Sequence, residues 1–169
     1  GYSPRLVSCS LFVHGGAMTD PGVSSLLPGQ RLQRGVSRAL AGLGFACVEE
    51  VVPTPGLRVD VMALSAKGEI WVVECKSSLA DFRSDSKWQG YLPWCDRFFW
   101  AVAPSFPKDV LPEGSGLILA DAYGAEILRQ APLAPVSAAR RRALTLRFAH
   151  HAARRLQSAR DPAAGLGGD

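Results

Sequence analysis

A chain of 169 residues, 47% hydrophobic and 20% charged, has the size and make-up of one globular domain and is too short for two comfortable ones. No apolar run approaches the ~18 residues that a membrane-spanning helix needs, so no membrane partner is expected. The net charge of +4 is unevenly placed: residues 138–160 hold seven arginines and no acid, which leaves a nearly neutral remainder and one basic segment able to face a polyanion.

Residues 1–28 read as an N-terminal extension, expected to be disordered. Within it Leu6-Val7-Ser8-Cys9 has the look of a lipoprotein cleavage box. It lacks the basic start and the apolar stretch of about 7–15 residues that a leader carries, and Met18 is a more natural start. The four cysteines (Cys9, Cys47, Cys75 and Cys95) lie far apart with no C-x-x-C pair, so they read as free thiols of a cytoplasmic protein rather than zinc ligands or a disulfide framework.

From Gln30 to Leu43 apolar residues fall on one helical face, and Gly42 and Gly44 end it. Phe45–Val52 reads as a strand closed by Pro53-Thr54-Pro55-Gly56. Arg58–Leu64 and Glu69–Lys76 read as two more, joined at Ala66-Lys67-Gly68. A helix is expected from Ser78 to about Tyr91, with Ser78 and Asp81 spaced as a capping box. Arg97–Ala103 is an apolar strand, and Gly116–Ala120 with Ala125–Leu128 forms a hairpin across Asp121–Gly124. A final helix runs from Val136 to about Gln157, with Leu144, Phe148, Ala152 and Leu156 as its apolar stripe. Residues 163–169 read as a flexible tail. This order predicts a single α/β domain, a mixed sheet with helices on its faces.

The strand Ile70-Trp71-Val72-Val73-Glu74-Cys75-Lys76 is apolar except for Glu74 and Lys76, which alternation puts on the same face. A three-residue loop with Gly68 left-handed pairs Ser65 with Glu69 and so sets Asp60 opposite Glu74. Two carboxylates there repel unless a proton or cation lies between them. A two-residue Lys67-Gly68 loop would oppose Asp60 to Cys75 instead and break the cluster. A turn centred on Pro55 brings Glu50 opposite Asp60, giving three acids and one lysine on one face. Such hard oxygen donors suit Mg²⁺ or Mn²⁺. Salt bridging on an exposed sheet face is the competing explanation.

Gly56-Leu57-Arg58-Val59-Asp60 followed by Glu74-Cys75-Lys76 resembles the core of PD-(D/E)XK nucleases. A longer set resembles the MmcB family of bacterial DNA repair proteins: Glu74-Cys75-Lys76-Ser77-Ser78, Asp81-Phe82, Asp85, Lys87-Trp88, Tyr91 and Cys95-Asp96-Arg97. Arg34-Gly35-Val36, Gly116-Leu117-Ile118, Ala120-Asp121-Ala122-Tyr123-Gly124, Arg141-Arg142-Ala143-Leu144 and Leu146-Arg147-Phe148-Ala149 extend it over residues 29–162. The resemblance implies a restriction-endonuclease-like fold, a role in DNA repair and metal-dependent hydrolysis of DNA phosphodiester bonds. It implies that Asp60, Glu74 and the Cys75 carbonyl hold the metal and that Lys76 assists the attacking water. Some relatives place an acid in the first helix; Gln30–Leu43 has none, so Glu50 would fill that role. The alternative is a DNA-binding or recruiting module that keeps the fold without cutting, and other repair proteins are conceivable partners.

Lys87 and Tyr91, four apart, are candidate phosphate contacts on the helix after the core motif, against the plainer reading of a solvated helix face. Arg140, Arg147, Arg154 and Arg155, off the apolar stripe of the last helix, are candidate phosphate contacts, the last three the leading ones. The adjacent His150 and His151 cannot form a metal pair spaced one helical turn apart.

Overall fold

The computed structural model describes residues 20–164, so the readings placed on residues 1–19, including Cys9 and Met18, and on 165–169 lie outside the described residues. The described chain forms a six-stranded mixed sheet in the order β1-β2-β3-β4-β5-β6. Its strands are β1 (Phe45–Thr54), β2 (Leu57–Ser65), β3 (Ile70–Lys76), β4 (Arg97–Val102), β5 (Gly116–Ala120) and β6 (Ala125–Arg129). The pairs β1–β2, β2–β3 and β5–β6 are antiparallel, and β3–β4 and β4–β5 are parallel. A mixed sheet flanked by helices is thus the architecture that the order of elements predicts.

Each face of the sheet carries its own core. Helix α2 (Pro28–Gly42) lays Leu32, Val36 and Leu40, four apart, on one face against Val61, Val73, Phe99 and Ile118. On the other face Leu144 and Phe148 of α4 (Ala138–Arg160) meet Val72, Phe98 and Trp100, with Tyr91 and Phe106 beside them. Leu156 does not continue this stripe: among the described residues it is 61% exposed, while Ala152, one turn earlier, still packs against the core.

Two close approaches seat α2. A Cβ on Gly35 would lie 1.9 Å from the Asp121 carbonyl oxygen and 2.6 Å from that of Gly124, so only glycine lets the helix rest on the β5–β6 turn. Arg34 donates to the Ala122 carbonyl at 2.8 Å and pairs with Asp20 at 3.1 Å. Asp20 in turn accepts from the Gly22 amide at the start of α1 (Pro21–Ser24), whose Val23 is buried. Residues 20–28 are therefore part of the fold and not of a disordered extension. Asp20-Pro21, a side-chain cap followed by proline, was the available signal.

The hairpin joining β2 to β3 has the expected three-residue connection. Gly68 is left-handed at φ 85°, the Ser65 amide donates to the Glu69 carbonyl at 2.9 Å, and Leu64 pairs with Ile70. In β1 the alternation breaks at Glu50, whose backbone is left-handed at φ 55°. There Val48 and Val51, three apart, enter the same core layer.

The helix expected over residues 78–91 is two pieces. Helix α3 covers Leu79–Ser84, capped by the Ser78 side chain on the Asp81 amide at 3.1 Å, and a 3-10 segment covers Trp88–Trp94. Between them Asp85 is extended, and its carboxylate accepts from the Lys87 amide at 3.0 Å.

Asp96, 1% exposed, ties three segments together. Its carboxylate accepts from the Ile70 amide at 2.7 Å, from the Val136 amide at 2.9 Å and, through both oxygens, from the Arg141 guanidinium at 2.6 and 2.7 Å. Burial alone would raise its pKa, but the Arg141 and backbone donors outweigh that and hold it below the usual carboxylate range. Asp96→Ala leaves these donors without a partner and is expected to cost about 3–5 kcal/mol of stability in urea unfolding. A loss within experimental error would make the clamp dispensable. Because the folded-state pKa is depressed, the stabilisation is full above the unfolded pKa and is lost as the pH falls through the folded value, so the difference between wild type and variant should shrink in acid.

Candidate active site

The ladder between β2 and β3 runs from Leu64–Ile70 to Val61–Val73, and one step further Asp60 stands across from Glu74, as the hairpin register requires. From there the pairing passes from main chain to side chains. The Asp60 amide donates to Glu74 Oε1 at 3.0 Å, and the Cys75 amide donates to Asp60 Oδ2 at 2.8 Å. Each carboxylate thus caps the backbone of the other strand, and each keeps its second oxygen outside these two bonds.

Both groups sit where charge is poorly solvated. Burial first, and the nearby Asp60 second, push Glu74 up to about 8. Burial likewise raises Asp60, against the lowering effect of the Cys75 amide, Lys76 and Arg58. Two adjacent carboxylates of this kind hold a proton between them, or a cation, at neutral pH.

Lys76 shares the strand face of Glu74, and its ammonium forms an ion pair with Asp85 at 2.8 Å, both side chains about nine-tenths buried. It also lies 5.9 Å from the centroid of the Trp100 ring. Burial alone would lower its pKa, but the hydrogen bond and charge of Asp85 dominate and raise it, so the lysine is cationic. The sequence pattern sets Lys76 beside Asp60 and Glu74 but does not reveal Asp85, the extended residue between α3 and the 3-10 segment, as its partner.

Asp60, Glu74, Cys75 and Lys76 line an open groove of about 840 Å³. The first turns of α2 form one wall, and Asp81, Arg58 and Tyr91 lie along the others. Glu50 borders the same groove and, at its place between the Glu49–Val61 and Val51–Val59 pairs, is the residue across from Asp60. Among the described residues, however, no three His, Cys, Asp or Glu side chains cluster closely enough to hold a metal by themselves. The expected set of three acids therefore reduces to the pair Asp60 and Glu74, while Glu50, left-handed at φ 55°, stays on the rim of the same groove.

Tyr91 is not a surface contact. It is 8% exposed, stacks on Phe98 at 5.9 Å and donates its hydroxyl to the Arg58 carbonyl at 3.2 Å. Burial first, then the charges of Glu74, Asp85 and Asp60, push its pKa upward, so it stays a neutral phenol at the edge of the site. Lys87 is exposed and caps the 3-10 segment that carries Tyr91, where at three residues per turn a spacing of four does not put the two on one face.

On α4, Arg147 donates to the Val52 carbonyl at 3.0 Å and is otherwise exposed. Arg155 lies on a smaller cavity that shares Gln30, Gln33 and Glu50 with the main groove. Arg154 is half-buried. Two other arginines of this helix are spent on the fold: Arg141 on Asp96, and Arg140 on Pro93 and the face of Trp94. Among the described residues no helix is long and apolar enough to cross a membrane.

The raised Glu74 pKa has a consequence with a definite sign. In the unfolded chain this group loses its proton near its ordinary value of 4.5, whereas the folded chain keeps it to about 8. In chelator, its contribution to stability is complete below about pH 4.5 and lost as the pH rises through about 8. Thermal melts of Glu74→Gln between those limits should show a flatter pH dependence than wild type. Parallel curves would mean that the carboxyl is ionised throughout.

A model of the MmcB-like DNA repair protein family matches residues 22–163. Two solved structures are similar to the chain. The SPO1766 protein of unknown function from Silicibacter pomeroyi is 63% identical, with a TM-score of 0.82 over 83% of this chain and 96% of that one. A repair endonuclease from Pyrococcus abyssi is 22% identical, with a TM-score of 0.34 over 52% of this chain and 46% of that one. No curated protein matches. The match spans the whole sheet and every residue of the groove, and the chain belongs to the MmcB-like DNA repair protein family.

Proposed function

We propose that this chain is a divalent-metal-dependent DNA nuclease with a restriction-endonuclease-like core, hydrolysing phosphodiester bonds in the groove over Asp60 and Glu74. The observation that carries the reading is the pair of interlocked carboxylates, Glu74 buried and Asp60 half-buried, each tied to the other strand's main chain and each with one oxygen outside those two bonds. An acid pair held at this cost in desolvation needs a positive partner, and hard oxygen donors select Mg²⁺ or Mn²⁺. Asp60, Glu74 and the Cys75 carbonyl would hold the ion, with water filling the positions that a two-carboxylate set leaves. When bound, such an ion supplies charge stabilisation at the phosphoryl oxygens and a more acidic water.

The protein's own groups have separate tasks. The two backbone bonds fix Asp60 and Glu74 before any substrate arrives, so little reorganisation is needed. Lys76, kept cationic by Asp85, faces the groove and orients the attacking water while offsetting charge on the phosphate. Tyr91 closes the groove beside Arg58 and keeps solvent from the acid pair. Exposed Lys87, Arg147 and Arg155, together with Arg154, would track phosphates outside the reacting one. Membership of a DNA repair family makes DNA under repair the expected substrate.

Asp60→Asn and Glu74→Gln should each abolish Mg²⁺- or Mn²⁺-dependent cleavage of labelled duplex, single-stranded and branched DNA, with thermal stability unchanged or improved because repulsion is relieved. Lys76→Ala should lower cleavage by about 10²–10⁴-fold while calorimetric metal binding persists. Cleavage by both carboxylate variants at the wild-type rate would move the site elsewhere. Absence of cleavage by wild type on every substrate, with DNA binding intact, would favour the non-cleaving binding or recruiting module.

The basic helix gives a separate readout. Replacing Arg147, Arg154 and Arg155 together with Gln should weaken binding to all sequences and lower the magnitude of the salt slope by up to ~2.7 on duplex DNA. Leu144 and Phe148 remain packed, so the melting temperature should hardly move. An unchanged slope would turn this helix toward a protein partner or solvent.

A further inference from the structure

The start of α2 lines the same groove as the two carboxylates. Pro28 brings no N–H, and the first amide committed to the helix is that of Arg31, which donates to the Leu27 carbonyl at 3.0 Å. The amides of Gly29 and Gln30 therefore lack an intrahelical acceptor, in a helix of 15 residues whose first turn holds no acid. The Gln30 carboxamide oxygen is engaged with the Leu27 amide at 2.9 Å. A Cβ built on Gly29 would meet nothing within 4 Å, so the approach to these amides is open.

One turn further, Gln33 is a polar side chain in a buried position. It is 7% exposed, it lines the groove, and its carboxamide has no hydrogen-bond partner among the described residues. Gly29, Gln30 and Gln33 fall on one helical face, and all three border the cavity that holds Asp60 and Glu74. The carboxamide is not sealed from solvent: it opens on the groove, where its NH₂ can donate to a bound group. A solvated groove wall lined by backbone N–H groups and an amide side chain is matched by a phosphate oxygen.

We infer that the N-terminus of α2 and the Gln33 carboxamide form a phosphate subsite that holds the nucleic-acid strand beside the reacting bond. The inference rests on the nuclease reading only for the position of the reacting bond; the subsite itself needs no catalysis. It is built from neutral donors, which suits its place. Glu50 and Asp60 border the same groove, and a cationic side chain here would pair with them instead of with substrate. Gly35, seated against the Asp121 carbonyl, fixes how far the helix end projects over the carboxylates.

The test uses the full chain. With ¹⁵N labelling and EDTA present, inorganic phosphate should shift the Gly29 and Gln30 amides and the Gln33 side-chain NH₂, and Gln33→Leu and Gly29→Asp should each remove those shifts. Gly29→Asp fits the open space and sets a carboxylate where the anion would lie. In an Asp60→Asn background with Mg²⁺, each substitution should weaken oligonucleotide binding about tenfold to a hundredfold, the range for one charge-assisted hydrogen bond. Equal weakening for 5′-hydroxyl and 5′-phosphorylated strands marks an internal phosphate as the occupant; weakening for the phosphorylated strand alone marks a terminal one. Shifts confined to the α4 arginines, or affinities within about twofold of the parent, would overturn the subsite. Should wild type fail to cut DNA while these shifts appear, the subsite stands and the nuclease reading falls; cleavage without them has the reverse meaning.

Discussion

The site depends on one exchange of hydrogen bonds: Asp60 and Glu74 each accept the main-chain amide that the other strand presents as β2 and β3 part. Two strands that diverge leave N–H groups without ladder partners, and a buried amide must be satisfied. Carboxylates meet that need and in the same act become rigid. The cost is desolvation and mutual repulsion, visible in the raised pKa of both groups. A cation would relieve both, which is the ground on which a metal is proposed here.

Everything around this exchange sets its geometry. The register comes from the far end of the hairpin, where left-handed Gly68 allows a three-residue connection. A slip of one residue there would turn Asp60 to the wrong face. Asp96 anchors the start of β3 to α4 through Ile70 and Arg141, so the strand that carries Glu74 and Lys76 is fixed at its base. Asp85 holds Lys76 at the other end. Gly35 lets α2 close over the sheet and brings its first turn to the groove.

Much of this was legible in the sequence. An acid and a lysine two apart in an apolar strand, and a hairpin whose glycine fixes the register, led directly to the opposition of Asp60 and Glu74. What was not legible depended on breaks in regular structure. Nothing in Ser84-Asp85-Ser86-Lys87 interrupts a helical pattern, so the extended Asp85 and its bond to Lys76 were hidden, and Tyr91 was left on the wrong surface. Glu50 falls where the register puts it, but it has a left-handed backbone that no alternation rule anticipates, and among the described residues no three-acid cluster forms. Leu156 continues the periodicity of α4, but period alone cannot report that it stays exposed among the described residues. Gln33 was visible as a polar residue beside Leu32 and Val36 on a buried helical face, yet only the groove gives it a role.

The most direct test is crystallographic: crystals grown with Mn²⁺, with diffraction recorded at an energy where manganese scatters anomalously. Expected is an anomalous peak between the carboxylates of Asp60 and Glu74, bound by the oxygens that do not accept from the Cys75 and Asp60 amides. A Mn²⁺-saturated crystal with no peak there, the two carboxyls sharing a proton and the ion bound elsewhere, would contradict the metal site and with it the proposed chemistry.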